Sequence, residues 1–234
     1  MNHNTKNRYK DFSDYKRKYD LDENLTSDEK NKLDSGMPFQ KIIGYINFDN
    51  LKINVSRNVL IPRYETQELV EKALEYVNHN SRVLDLCTGS GYIGLTIKQK
   101  TNANVVMSDI SKEAIYQSQE NALINNLDVK IIHSDLFKNI STKFDLIISN
   151  PPYIPNNVKL DNSVTKFEPS IALYAGDDGN KVFKKIIDEC QDYLNPNGIL
   201  IFEMSVDNKN YLLGEGFEII KDINNKPRIA IKKY

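Results

Sequence analysis

From residue 82 onward the chain is predicted to form an α/β fold: an open, twisted, mostly parallel sheet with helices on both faces and an antiparallel terminal hairpin. Three observations predict it. Short apolar runs alternate with helix-period segments, the pattern of strands joined by crossover helices. Asp85, Asp109, Asp135 and Asn150 fall at the carboxyl ends of successive runs, where open α/β sheets collect their ligands. The last two runs are separated by a short Asn224-Asn225 turn, which can only make an antiparallel hairpin.

Residues 1–35 are dominated by Lys, Asp, Glu, Asn and Tyr and read as a short helical N-terminal segment. Tyr9, Phe12, Tyr15 and Tyr19 recur at helical spacing, so a first helix carries an aromatic stripe. That stripe suits docking onto the main domain or contact with a partner. Thr26 and Glu29 make a capping box for a second helix, which Ser35-Gly36 ends. Residues 36–65 are a β-hairpin linker, with Ile43, Tyr45 and Phe48, then Leu51, Ile53 and Val55, alternating about an Asp49-Asn50 turn.

Residues 66–234 form the main domain. Leu69, Val70, Ala73, Leu74 and Val77 give a helix over 66–78 its apolar face. Val83–Leu86 is a strand that runs into a Gly-rich turn and a helix. Val105–Asp109 and Val129–His133 are further strands, separated by a helix with Ser111 as N-cap. Phe144–Ser149 is an apolar run ending in a small polar residue, a buried parallel strand. A helix over 179–194 and strands at 199–203, 217–221 and 228–232 complete the pattern.

At 234 residues, the chain holds one α/β domain with a small appendage. Apolar content of 40% and charged content of 27% are those of a soluble globular protein. A formal net charge of −1 gives no bulk attraction to a polyanion, so no stable nucleic-acid binding is expected. Two cysteines, Cys87 and Cys190, make neither a disulfide framework nor a metal site, and His3, His79 and His133 lack ligand spacing. The polar N-terminus and the absence of a membrane-length apolar run point to a cytoplasmic protein with no membrane partner.

Asn150-Pro151-Pro152-Tyr153 is the segment that carries chemistry. Pro151 pushes Asn150 toward an extended backbone, and neither proline has an N–H to donate. A side-chain oxygen, a bare main-chain oxygen and an aromatic ring are held at the mouth of a strand. That platform suits a planar –NH2 group, whose two N–H bonds it accepts.

Asp85-Leu86-Cys87-Thr88-Gly89-Ser90-Gly91 is a turn whose glycines allow close approach to a ligand. It lacks the Gly-Lys-Ser/Thr of a phosphate-cradling loop and misses the dinucleotide spacing. Asp109 suits a ribose diol, since a carboxylate accepts two hydrogen bonds. Asp135 suits an exocyclic amine, with Leu136 and Phe137 as apolar cover for a base. A nucleoside-shaped cofactor without phosphates fits all three loops.

These segments together resemble the class I S-adenosylmethionine-dependent methyltransferases. More narrowly they resemble the PrmC/HemK family, the glutamine methyltransferases of peptide release factors. Leu60-Ile61-Pro62-Arg63-Tyr64-Glu65-Thr66 is similar to that family's Ile-Pro-Arg-x-Glu-Thr segment. Phe167-Glu168-Pro169 with Ala172-Leu173 is similar to its Phe-Glu-Pro segment, and Asp177-Asp178-Gly179 to the turn opening its next helix. Gly36–Gly44 resembles the start of its hairpin, with Lys41 in place of the usual Tyr, and Cys87 stands where the family often has Gly. The likeness covers residues 36–234. It implies a Rossmann-like fold, S-adenosyl-L-methionine as cofactor and a peptide chain release factor as protein substrate. The family carries a longer helical N-terminal domain than residues 1–35 provide.

The expected activity is methyl transfer to the side-chain nitrogen of a glutamine, in the Gly-Gly-Gln motif of class 1 release factors. Asn150, Pro151, Pro152 and Tyr153 are the expected catalytic residues. Asp85, Cys87, Thr88, Gly89, Ser90, Gly91, Asp109, Asp135, Leu136 and Asn150 are the expected cofactor contacts, and no metal is expected. The same tetrapeptide occurs in adenine and guanine amino-methyltransferases of DNA or RNA, the main alternative. A non-catalytic S-adenosylmethionine-binding module is a third.

Overall fold

The computed structural model describes residues 3–234. Met1, Asn2 and the side chains of residues 3–6 lie outside the described residues, and with them the start of the 1–35 segment and the His3 ring. Helices α1 (His3–Arg17), α2 (Ser27–Asp34) and α3 (Phe39–Ile43) come first. The capping box is formed: Thr26 Oγ1 accepts from the Glu29 backbone N–H, and the Glu29 carboxylate accepts from that of Thr26. Gly36, at φ +84°, follows the last turn. The aromatic stripe packs inward, although its last member, Tyr19, lies in the turn just past the end of α1. Phe12 is fully buried 5.2 Å from the Phe39 ring, and Tyr19 meets Tyr45 edge-on at 5.4 Å.

Strands β1 (Tyr45–Phe48) and β2 (Leu51–Asn54) pair antiparallel. Asp49 and Asn50 between them have φ of +50° and +64°, the two positive values of a type I′ turn. The main domain then runs α4 (Tyr64–Leu74), β3 (Arg82–Leu86), α5 (Tyr92–Thr101), β4 (Asn104–Asp109), α6 (Lys112–Ile124), β5 (Lys130–His133) and β6 (Phe144–Ser149). It closes with α7 (Asn162–Thr165), α8 (Lys181–Glu189), β7 (Leu194–Glu203), α9 (Lys209–Gly214), β8 (Glu218–Lys221) and β9 (Pro227–Lys233). Three elements differ from expectation. Ile43, read as the start of the hairpin's alternation, instead ends the short helix α3, and the left-handed Gly44 (φ +91°) separates it from β1. The helix expected over 66–78 occupies 64–74, and that over 179–194 stops at Glu189, where a 3-10 turn begins. The turn brings Leu194 early into β7, opposite Phe144.

The seven-stranded sheet has the order β5-β4-β3-β6-β7-β9-β8. β5, β4, β3, β6 and β7 are parallel neighbours, and only β9 runs against them. Alternate strand residues feed two cores. Val83, Leu146 and Ile148 pack with α4, α5, α6 and the hairpin, whereas Leu84, Leu86 and Ile147 pack with α8 and α9. Both faces are buried, as continuous apolar strands require. Among the described residues, no helix is long and apolar enough to cross a membrane.

Chain order reverses between β3 and β6: the chain leaves β3 toward β4 and β5, then returns to β6 on the other side. Such a switch point opens a crevice at the strands' carboxyl ends.

Candidate active site

A cavity of about 460 Å³ occupies that crevice. One wall is the Gly-rich turn after β3, with Cys87, Thr88, Gly89 and Ser90 facing it. Asp109, Asp135, Leu136, Asn150 and Pro152 also line it. Ends of four strands, remote in sequence, therefore meet at one place.

The turn is held from behind. Asp85 is fully buried and does not line the cavity. It accepts from the Thr88 hydroxyl, and its Oδ2 accepts from the Gly94 N–H at 2.9 Å. Burial pushes its carboxyl up to about 7, against the pull of those two donors. Gly91 also lies behind the cavity, at φ +87°, and a Cβ there would stand 2.8 Å from Met107 Cε. Gly89 is the opposite case: at φ +56° a Cβ would meet nothing within 4 Å, so the open space belongs to the cavity.

Asp109, at the end of β4, ties the turn to α6. Its Oδ2 accepts from the Gly89 N–H at 2.9 Å and its Oδ1 from the Ser111 N–H at 2.8 Å. Burial raises its carboxyl, and these amides pull it back. Each oxygen keeps a second lone pair for a ligand. The Ser108 hydroxyl beside it is buried, lines the cavity and has no partner among the described residues.

Cys87 has φ +62°, in the left-handed region that favours glycine. Burial pushes its thiol well above the usual range, so it is no nucleophile. Cys87→Gly is expected to fold and melt within about 2 °C of the parent, because relief of about 1–2 kcal/mol of strain is offset by glycine's entropy cost of about 0.5–1 kcal/mol. A β-branched valine at the same φ is expected to cost about 2 kcal/mol or more, or about 4–8 °C. Thermal unfolding followed by circular dichroism checks both; a valine variant as stable as the parent would remove strain from this turn.

Asp135 stands at the rim, paired to Lys138 at 2.6 Å, which holds its carboxyl below the ordinary value. Leu136 faces the cavity at φ +48°. Phe137 departs from expectation: it is fully buried, stacked on Tyr193 at 4.5 Å, and supports the loop from beneath.

Asn150 follows β6. Its Nδ2 donates to Thr66 Oγ1 at 3.4 Å, and its Oδ1 accepts no hydrogen bond among the described residues. Pro151 is buried and Pro152 faces the cavity. Tyr153 also departs from expectation. Its ring joins the core on the α8 side, and its hydroxyl donates to Glu203 Oε1 at 3.2 Å.

Several contributors had no assigned role in the sequence. Thr66, in the first turn of α4, holds Asn150. Asn58, Val59 and Leu60 form a wall of the cavity, and the backbone leading to them is clamped from α6. Asn121 Nδ2 donates to the Asn54 and Ser90 carbonyls at 2.9 and 2.8 Å, and Gln117 Oε1 accepts from the Arg57 N–H at 3.0 Å. Asn125 bonds both backbone groups of Lys52. Gln117, Asn121 and Asn125 are four residues apart, a polar stripe that the sequence displayed. Lys41 donates to the carbonyls of Val55, Arg57 and Val59 at 2.7, 2.6 and 3.0 Å. Burial lowers its pKa to about 8. Arg63 pairs with buried Glu168 at 2.7 Å, and Glu168 also accepts from the Ile61 N–H at 3.3 Å. This joins the segment before α4 to Pro169 and Ala172 on the far wall.

The family model described as "Methyltransferase small domain" matches residues 65–167. A release factor glutamine methyltransferase of Lactococcus lactis is 41% identical, over 77% of this chain and 68% of that protein. The one of Clostridium acetobutylicum is 37% identical over 92% of this chain and 82% of its own length. Among solved structures, a methyltransferase of Pyrococcus furiosus matches with a TM-score of 0.61 and 16% identity, covering 89% of this chain and 98% of that one. A T. thermophilus 16S rRNA methyltransferase in complex with AdoMet and guanosine matches with a TM-score of 0.59 and 17% identity, over 81% of this chain and 49% of that one. At these identities the solved structures establish the fold alone.

Proposed function

This chain belongs to the release factor glutamine methyltransferases, and on that premise we propose how its cavity methylates a glutamine side chain. The methyl donor is S-adenosylmethionine, and the acceptor is the glutamine of the Gly-Gly-Gln motif in a class 1 peptide release factor. The observation that carries this reading is Asn150, which lines the same cavity as Asp109 and the Gly-rich turn with its Oδ1 unengaged.

The residues fit such a cofactor. Asp109 keeps two lone pairs for a ribose diol, and the Ser108 hydroxyl awaits a partner. Gly89 leaves room beside the turn, and Leu136 offers an apolar wall. Asp109 places a carboxylate in this end of the cavity, whereas the Asp135 charge at the rim is paired with Lys138 at 2.6 Å. When bound, the cofactor supplies an electrophilic methyl group on a sulfonium.

The protein's own task is to hold a poor nucleophile. An amide nitrogen shares its lone pair with the carbonyl, and the rotation barrier of about 18–20 kcal/mol measures that resonance. Asn150 Oδ1 and the Pro151 carbonyl accept the two N–H bonds of the substrate amide. Each acceptor contributes about 1.5–3 kcal/mol as the N–H groups become more acidic. Near-attack positioning supplies about 7–11 kcal/mol, so orientation dominates. The methylated nitrogen then sheds one proton to solvent, which requires no dedicated base.

Incubation with methyl-labelled cofactor and a release factor tests the reading, beside the factor with its Gly-Gly-Gln glutamine changed to alanine and beside bulk DNA and rRNA. Label is expected on the parent factor alone. Equal label on both factors would refute the target, and label on nucleic acid instead would favour a base methyltransferase.

A further inference from the structure

Lys41 sits in the short helix α3, whose Phe39 ring packs against Phe12 and Tyr15 of α1 at 5.2 and 5.5 Å. Lys41 is half-buried, and its ammonium donates to the Val55, Arg57 and Val59 carbonyls at 2.7, 2.6 and 3.0 Å. Residues 55–60 fall between β2 and α4, so no helix or strand ladder holds them. The chain bends sharply there, where the Val59 N–H returns to the Arg57 carbonyl at 2.9 Å. Asn58, Val59 and Leu60 of this bend line the cavity. The wall they form spans the site. On one side Asn121 links Asn54 to Ser90 in the Gly-rich turn, and on the other Thr66 bonds Asn150.

On the premise that methyl transfer takes place in this cavity, we propose that Lys41 is a positioning residue for it: the protonated ammonium sets the Asn58–Leu60 wall, and loss of one proton releases that wall. An ammonium has three N–H groups and no acceptor, so three carbonyls use it completely. A neutral amine has two N–H groups and a lone pair. One of the three carbonyls would then face a lone pair, with repulsion in place of a charge-assisted hydrogen bond. The observed geometry therefore suits the charged form alone. Burial lowers the Lys41 pKa to about 8, with the Glu168 carboxylate opposing that shift and the Arg63 cation adding to it. Glu168 and Arg63 are the charged side chains that face it among the described residues. Around α3, Arg8 of α1 bonds the Met37 carbonyl, Lys16 of α1 pairs with Glu29 of α2, and the Tyr45 ring of β1 lies under Lys52. Arg57 turns its guanidinium to Glu113 and Glu120 of α6.

Lys41→Met nearly keeps the reach of the side chain and removes every N–H. At about pH 7 it is expected to lower the single-turnover rate at saturating cofactor by about tenfold or more, the scale of a small misplacement at the reacting centre. The parent rate is expected to fall by about the same factor between about pH 7 and about pH 10, with the slope of a single proton. The variant's rate stays level over that range, so the two enzymes converge. Hydrogen exchange supplies a readout that needs neither cofactor nor substrate. Protection of the Arg57 and Val59 amides, taken relative to an unstructured chain at each pH, is expected to drop in the parent over the same range. In Lys41→Met it is low throughout. Lys41→Arg, charged at every pH used, is expected to keep both its rate and its protection at about pH 10.

A Lys41→Met rate equal to the parent's at about pH 7 overturns the proposal. So does an alkaline fall that both enzymes share, or a parent rate that stays level to about pH 10. If the parent places no label on a release factor, the assigned reaction fails, and exchange alone decides the role of Lys41. Protection that is insensitive to pH in the parent then overturns it. Should Lys41→Met fail to fold, the parent's pH profile beside that of Lys41→Arg decides: an alkaline fall shared by the arginine variant overturns the proposal.

Discussion

Asn150→Ala lowers the single-turnover rate of glutamine methylation by about 10²–10³-fold at saturating cofactor, the scale seen when one preorganised polar group is removed from a reacting centre. The reasoning is geometric. The substrate nitrogen reacts only when its plane faces the methyl donor, and two acceptors define that plane. Removing one leaves a single hydrogen bond about which the amide swings, and misplacement of about 1 Å costs about 10²-fold. Cofactor affinity is expected to fall little, because the proposed cofactor contacts are centred on Asp109 and the Gly-rich turn. The melting temperature changes little as well, since Asn150 makes one long hydrogen bond, to Thr66 at 3.4 Å. Rapid-quench assays with labelled cofactor give the rate, and isothermal titration gives the affinity. A rate within threefold of the parent sinks the assignment of Asn150 as the amide acceptor.

Asp109→Ala weakens S-adenosylmethionine binding by about 10²-fold or more. Two hydrogen bonds from a diol to a carboxylate are lost, each contributing about 1.5–3 kcal/mol. The change also frees the Gly89 and Ser111 amides, which Asp109 holds at 2.9 and 2.8 Å. Some loss of melting temperature therefore accompanies the loss of affinity. Asp109→Asn separates the two effects: its one carbonyl oxygen keeps one of the amides, and its –NH2 no longer accepts from a diol. Calorimetric titration of both variants is the measurement. Parent-like affinity in Asp109→Ala would refute the ribose role.

Local chemistry writes itself into sequence, and these features were legible. The Thr26 capping box, the Asp49-Asn50 turn, the Ser111 N-cap and the β8–β9 hairpin all formed as their residues require. Each is decided within a few residues. The strand alternation likewise gave the α/β sheet and the positions of Asp109, Asp135 and Asn150 at its carboxyl edge. Strand-end chemistry, however, does not say which way a side chain turns. Phe137 and Tyr153 both read as cavity residues, and both pack into the core behind it, because aromatic rings contribute most where they are fully enclosed. Asp85 turned inward, where its Oδ2 accepts from the Thr88 hydroxyl and from the Gly94 N–H, a first-turn donor of α5 that has no partner within the helix.

By itself, the sequence determined the fold class and most of the segments that bound the cavity, since periodicity and turn chemistry are short-range properties; the reaction is what the resemblance of those segments to a known family implies. Only the tertiary structure decided which partners meet across long separations. Arg63 with Glu168, Asn121 with Ser90, and Thr66 and Glu203 around Asn150 lie far apart in the chain. Their pairing follows from strand order and helix placement, and no pattern local to any of these residues encodes it. Function here depends on that second level: a tetrapeptide offers a carboxamide, and strand order sets it beside Asp109 and the Gly-rich turn in one cavity.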